Sequence, residues 1–140
     1  MGIRREGREL ALKYIYQIDL GVNFEERAIA QLETEKHSKK VKAFAKDRLL
    51  GLYNLKDSVD AMARKHLTNW SLERLNQTDR SILRLAIFEM KFDPGVPEKV
   101  ALNEALELAK RFGSDESSKF LNGVLDAIMH DDSVKIPKTI

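Results

Sequence analysis

Three stretches of this 140-residue chain hold side chains whose types and spacing could do chemistry. The first is Arg4-Arg5-Glu6-Gly7-Arg8-Glu9. On a helix Arg4 and Arg8 share a face, with Arg5 about 100° away. Guanidinium groups there can fork onto phosphate oxygens and stack on unpaired bases. Taken alone, a solvated terminal turn in which Glu6 and Glu9 neutralise the arginines is the commoner outcome. The second stretch is Lys36, Lys39, Lys40, Lys42 and Lys46, which could meet phosphates, although a solvated charge run is the commoner outcome. The third is Phe112-Gly-Ser-Asp-Glu-Ser-Ser-Lys-Phe-Leu-Asn-Gly-Val-Leu-Asp126. One helix ends at Gly113 there and another begins at once, presenting Ser114, Ser117, Ser118 and Lys119 in its first turn. An exposed Phe120 beside these groups would be a stacking platform for an RNA base, although a phenylalanine at that spacing is more often core.

Catalytic chemistry is not evident. His37, His66 and His130 are far apart, and none lies in a metal-ligand motif. The sequence has no His-Glu-x-x-His, phosphate loop or Gly-x-Gly-x-x-Gly. Glu104 and Glu107 stand at i, i+3 as paired carboxylates would, but Lys110 and Arg111 follow at helical spacing and suggest surface ion pairs. With no cysteine, disulfides, thiolate metal sites and a cysteine nucleophile are excluded. The expectation is a protein that is not an enzyme and uses no metal or cofactor.

The elements that must position these residues are helical. Gly and Pro are scarce, and apolar residues recur at helical spacing nearly everywhere. A first helix is expected over 4–20, with the stripe Leu10, Ala11, Tyr14, Ile15 and Ile18 and Gly21 as a left-handed stop. A polar helix over 24–34 and one long helix over 38–65 follow. A short turn at 71–75 leads to a helix over 79–90, capped by Thr78. Asp93-Pro94-Gly95 is a turn, and Pro97 suits the first turn of a helix reaching Phe112, with Phe112 on its buried side. Ser114 caps the last helix, which buries Leu121, Val124, Leu125 and Ile128. The fold class is therefore all-α, a compact bundle of about seven helices in two halves. The halves are expected over about 1–68 and 69–130, with their junction in 65–76 and a tail over 131–140 that frays.

Charge and hydropathy narrow the setting. Net charge is only +2, with 11 Lys/Arg against 8 Asp/Glu in residues 1–48 and 13 against 14 in the remainder. This is a weak basic bias at the front. No apolar run approaches the roughly 20 residues that cross a bilayer. The charged start MGIRREGREL is not followed by a signal-peptide core. A cytoplasmic protein is expected, with no membrane partner.

The block VPEKVALNEALELAKRFGSDESSKFLNGVLD (residues 96–126) resembles the signature of the NusB family. DRSILRLAIFEM (79–90) resembles the family's preceding helix. Its arginine-rich start is matched by Arg4, Arg5, Arg8, Glu9, Ala11, Ile15, Tyr16 and Gln17. Residues 22–68 match only in pattern. The resemblance implies an all-helical fold in two halves. It implies a transcription antitermination factor that binds the boxA element of nascent ribosomal RNA transcripts. Its implied partners are the ribosomal protein NusE and the RNA polymerase antitermination complex. The RNA-contacting positions implied are Arg4, Arg5, Arg8, Tyr16, Glu116, Lys119 and Phe120, shared between the chain's start and the turn before its last helix. Glu116 would tune affinity by repelling phosphate. The NusE-facing positions implied are Glu73 and Asp79. Some members form homodimers that could hide the RNA surface, so oligomeric state stays open. The chain departs from the family at Glu6 and Gly7, where small or basic residues are common. Glu6 cancels charge and Gly7 loosens the helix start, so the arginines are expected to order only on RNA.

Two other readings remain. One is an accessory domain like those fused to ribosomal RNA cytosine methyltransferases, disfavoured because nothing after the helical domain could bind a methyl donor. The other is a structural interaction module with no salt-sensitive RNA binding.

Overall fold

Residues 2–139 are described by a computed structural model. Among them are seven α-helices, one 3-10 turn and no strand. Helices α1 (Ile3–Asp19), α2 (Glu25–Glu33) and α3 (Lys39–Asn54) are followed by α4 (Lys56–His66) and the turn Leu72–Arg74. Helices α5 (Gln77–Phe92), α6 (Glu98–Phe112) and α7 (Asp115–Met129) complete the order. The chain forms two compact units, the first ending at Asn54 and the second beginning at Leu55.

In the first unit α1 and α2 both pack on α3. The α1 stripe of Leu10, Ala11, Tyr14 and Ile15 is buried, as are Ala28 and Leu32 of α2 and Val41, Ala45, Leu49 and Leu52 of α3. Helix α1 ends as its composition demands. Gly21 has φ +79°, its N–H donates to the Ile18 carbonyl, and the Val22 N–H donates to the Gln17 carbonyl. This is a Schellman closure, which only a residue tolerant of the left-handed region accepts cheaply. Ser38 starts α3 by accepting the Val41 N–H through Oγ (3.2 Å).

The helix expected over 38–65 is two helices. Leu55, at φ −116° and ψ 16°, leaves helical geometry between them. No Gly or Pro marks the break, and Leu52 and Val59 keep helical spacing across it, so periodicity passes over it. The units divide at this break, not within 65–76, because α4 packs against α5 and α7.

Helix α5 is the centre of the second unit. Every residue from Asp79 to Lys91 is buried, so the helix expected over 79–90 is enclosed all round. Its charged side chains are therefore paired. Arg84 Nε donates to Asp60 Oδ1 at 2.9 Å and Nη2 to Asp60 Oδ2 at 3.2 Å. Arg80 Nη1 donates to the carbonyls of Leu72 (3.2 Å), Glu73 (3.1 Å) and Leu75 (2.9 Å), fastening the 3-10 turn. The α5 cap is Asn76, not Thr78. Asn76 Oδ1 accepts the Asp79 N–H at 2.8 Å.

The tail is docked, contrary to the expectation of fraying. Lys91 Nζ pairs with Glu98 (2.8 Å) and donates to the carbonyls of Met129 (3.3 Å) and Asp131 (2.9 Å). Lys138 Nζ donates to the Glu89, Met90 and Asp93 carbonyls at 3.1, 2.8 and 2.8 Å. Each lysine neutralises the negative end of a helix, Lys91 that of α7 and Lys138 that of α5.

Candidate nucleic-acid interface

In the first unit, helix α1 carries the arginine-rich start. Arg4 and Arg5 are exposed. Arg8, one turn on, is only 2% exposed, and its guanidinium lies 5.3 Å from the centroid of the Phe44 ring. Arg48 approaches the same ring at 4.3 Å. The Arg4–Arg8 face is thus half surface and half packing: Arg4 is offered to solvent, while Arg8 couples α1 to α3.

Gly7 explains why Arg8 comes so close. A Cβ built on Gly7 would lie 2.7 Å from Phe44 Cδ1, so glycine here permits the helix approach instead of loosening the helix start. Helix α1 runs from Ile3 and so includes Arg4, Arg5 and Arg8. Glu6 does not serve only to cancel its neighbours' charge, because its carboxylate meets His37 Nδ1 at 2.9 Å.

Tyr16 is 37% exposed on α1. Tyr14, two residues earlier, is buried and donates its hydroxyl to Glu35 Oε2 at 2.6 Å. Lys13 Nζ meets the same oxygen at 2.7 Å. Burial, and secondarily the Glu35 carboxylate, hold the Tyr14 hydroxyl protonated well above the usual tyrosine range. The Lys13 and Tyr14 hydrogen bonds hold the Glu35 carboxyl below its own.

In the second unit, the start of α7 gathers Glu116, Lys119 and Phe120. Ser114 and Ser117 form a reciprocal capping box, the Ser117 N–H donating to Ser114 Oγ at 3.2 Å and the Ser114 N–H to Ser117 Oγ at 3.1 Å. The turn before it is tight. A Cβ on Gly113 would lie 2.8 Å from Ser117 Oγ and 2.9 Å from the Ala109 carbonyl oxygen. Gly113 is needed for this approach, since its φ of −105° is open to any residue. With the turn fixed, Glu116 and Lys119 are exposed and Phe120 is half-buried. Glu116 and Phe120 stand at i, i+4, so one face of α7 carries an acid and an aromatic ring together.

Phe112 was missed as a surface residue. It is 46% exposed, with Arg111 stacked 5.5 Å from its ring centroid. Its position four residues after Leu108 continues the apolar stripe of α6, so spacing assigns it to the core. Trp70, 60% exposed, was also missed, because no periodic pattern surrounds it. Glu107 pairs with Lys110 at 3.6 Å on the surface, as helical spacing suggested.

The two positions implied for a protein partner differ in character. Glu73 is exposed and pairs with Arg64 at 2.5 Å. Asp79 is 8% exposed; its Oδ2 accepts from Asn76 Nδ2 at 3.2 Å, while its Oδ1 accepts no hydrogen bond among the described residues. No cluster of potential metal ligands and no helix long and apolar enough to cross a membrane occurs among the described residues.

A model of the NusB family matches residues 5–130. The transcription antitermination protein NusB of Myxococcus xanthus is 41% identical over 133 residues, covering 91% of this chain and 95% of that protein. Its counterpart in Bacillus subtilis is 43% identical over 128 residues, with the same coverage of 91% and 95%. The solved structure of T. maritima NusB superposes with a TM-score of 0.81 at 35% identity, covering 91% of each chain. A structure of the antitermination factors NusB and NusE in complex with dsRNA gives a TM-score of 0.82 at 26% identity, covering 92% of this chain and 97% of that one.

Proposed function

The chain belongs to the NusB family, and from that premise we propose that it is a non-catalytic transcription antitermination factor that binds RNA together with NusE. The observation that carries this reading is the likeness, over 92% of the chain, to a solved complex of NusB and NusE with dsRNA. The RNA element is boxA of nascent ribosomal RNA transcripts, and the assembly acts on RNA polymerase in the cytoplasm.

Each unit contributes to RNA binding. In the first, Arg4 and Arg5 take phosphates and Tyr16 offers an exposed ring. In the second, Phe120 stacks on a base, Lys119 takes a phosphate, and Glu116 limits affinity for RNA that does not fit. Arg8 acts by holding α1 against Phe44, so its effect on RNA is indirect. Glu73, exposed at the surface, faces NusE, while the buried Asp79 supports that face from within by fixing the start of α5 through Asn76. A homodimer that covers these residues would compete with RNA.

The test is a titration of a boxA-like RNA with Arg4→Glu and Arg5→Glu variants beside wild type. Weaker binding and a flatter salt slope are expected, by about 0.7 per lost phosphate contact on a single strand. Unchanged affinity and slope in both variants would remove the arginines from the interface.

A further inference from the structure

The turn between α2 and α3 carries a second cationic cluster. Lys36, Lys39 and Lys40 are exposed. Their neighbours Lys42 and Lys46 are engaged with Glu33, Lys42 Nζ donating to its carbonyl at 2.9 Å and Lys46 pairing with its carboxylate at 2.7 Å. The first turn of α3 contains no acid. The carboxylate next to Lys36 in sequence, Glu35, is occupied by Lys13 and Tyr14.

The cluster is also fixed in place. Lys36 lies between Glu35 and His37, and both are anchored on α1, Glu35 through Lys13 and Tyr14 and His37 through Glu6. The helix that begins with Arg4 and Arg5 therefore holds this turn. Beside it opens a polar cleft of about 750 Å³ whose lining includes Lys13, Gln17, Asn23, Gln31, Lys36 and His37. That size lies within the range of small-ligand sites. Three amides inside it form one row, Asn23 Nδ2 donating to Gln17 Oε1 (2.8 Å) and Gln31 Oε1 (2.9 Å).

We propose that the α2–α3 turn is a further RNA site, in which Lys36, Lys39 and Lys40 take phosphates of a strand running on from the α1 arginines and the cleft holds one of its bases. This rests on the RNA-binding function proposed above and extends its footprint. Lysines are flexible point charges suited to phosphate. With their oxygens held by Asn23, Gln17 and Gln31 still turn amide N–H donors to the acceptors of a base edge. Continuity with Arg4 and Arg5, through the Glu6–His37 contact that ties this turn to the start of α1, favours an RNA strand over a separate acidic peptide.

The experiment compares a core boxA-like RNA with the same RNA extended by about ten nucleotides on either side, a length on the scale of single-strand site sizes. Both are titrated into wild type, Phe120→Ala and a Lys36→Glu/Lys39→Glu/Lys40→Glu variant at two salt concentrations. Wild type should bind an extended RNA at least tenfold tighter than the core at low salt. The triple variant should lose that gain, keep core binding, and show a salt slope shallower by about 2 on extended RNA, for three contacts at about 0.7 each. 4-Thiouridine in the extension should crosslink to peptides containing residues 13–17 or 31–37. Equal wild-type affinity for core and extended RNAs, an unchanged slope in the triple variant, or crosslinks only elsewhere would overturn the inference. The primary function would still stand if Phe120→Ala weakened core binding. A triple variant defective only in binding NusE would make the turn a protein-docking face and also overturn it. Absence of wild-type binding to any of the RNAs would sink both proposals.

Discussion

The two units set their buried positive charge against different partners. In the second, four cations are folded inward onto oxygens: Arg84 onto Asp60, Arg80 onto the carbonyls of the 3-10 turn, Lys91 and Lys138 onto helix ends. In the first, Arg8 and Arg48 are buried against Phe44, while Arg4, Lys36, Lys39 and Lys40 stay at the surface. A net charge of +2 therefore understates what the first unit offers to a polyanion. Location, more than total charge, separates lysines and arginines that hold the fold from those free to meet phosphate.

The largest test of this contrast removes the buried partner. Asp60→Ala leaves Arg84 inside the second unit with its carboxylate gone, and should cost about 3–5 kcal/mol in urea unfolding. A loss below 1 kcal/mol would show that Arg84 does not depend on Asp60. The same pair shapes acid stability. Burial pushes the Asp60 carboxyl up, but its bonds to Arg84 and Lys56 outweigh this and leave it lowered. A lowered carboxylate contributes stability that is present above its unfolded value of about 4 and is lost as pH falls through the folded value. Asp131, lowered by Lys65 and then by Ser133 and His66, acts in the same direction. Unfolding free energy should accordingly be level between about pH 5 and 8 and fall on acidification, with a shallower fall in Asp60→Asn.

The next effect is on binding. Phe120→Ala should weaken RNA affinity by about 1–3 kcal/mol if the ring stacks on a base, with little change in melting temperature because the ring is only half-buried. A large drop in melting temperature with affinity preserved would return Phe120 to the core. Ser114→Ala breaks the capping box and should cost about 1 kcal/mol of stability, read by thermal unfolding. Smallest is Lys138→Met, which should release the tail locally. Amides near residue 139 should exchange faster, while those of α5 keep global protection. Faster exchange throughout α5 would mean that the tail supports the whole unit.

Helix order, the Gly21 stop, the Ser114 cap and the Asp93–Gly95 turn were legible because each is local chemistry carried by a few adjacent residues. The break at Leu55 was not, because the apolar spacing runs through it. The burial of Arg8 was hidden for a different reason: Phe44, which receives it, is 36 residues away in sequence. Gly7 looked like a flexible point until the α3 ring beside it came into view. Of the implied RNA positions, Arg4, Arg5, Tyr16, Glu116 and Lys119 are exposed, Phe120 partly so, and Arg8 is inside. Sequence order alone could not separate Arg4 from Arg8, since helical spacing puts them on one face and only the partner helix decides which of them it covers.

The central claim is specific RNA recognition assisted by NusE. It is tested most directly by titrating a boxA-like RNA and a scrambled RNA of equal length into the protein, with and without NusE, at two salt concentrations. The account predicts tighter binding of the boxA-like RNA, a wider gap between the two RNAs when NusE is present, and weakening of both as salt rises. Equal affinity for the two RNAs in the presence of NusE would contradict it.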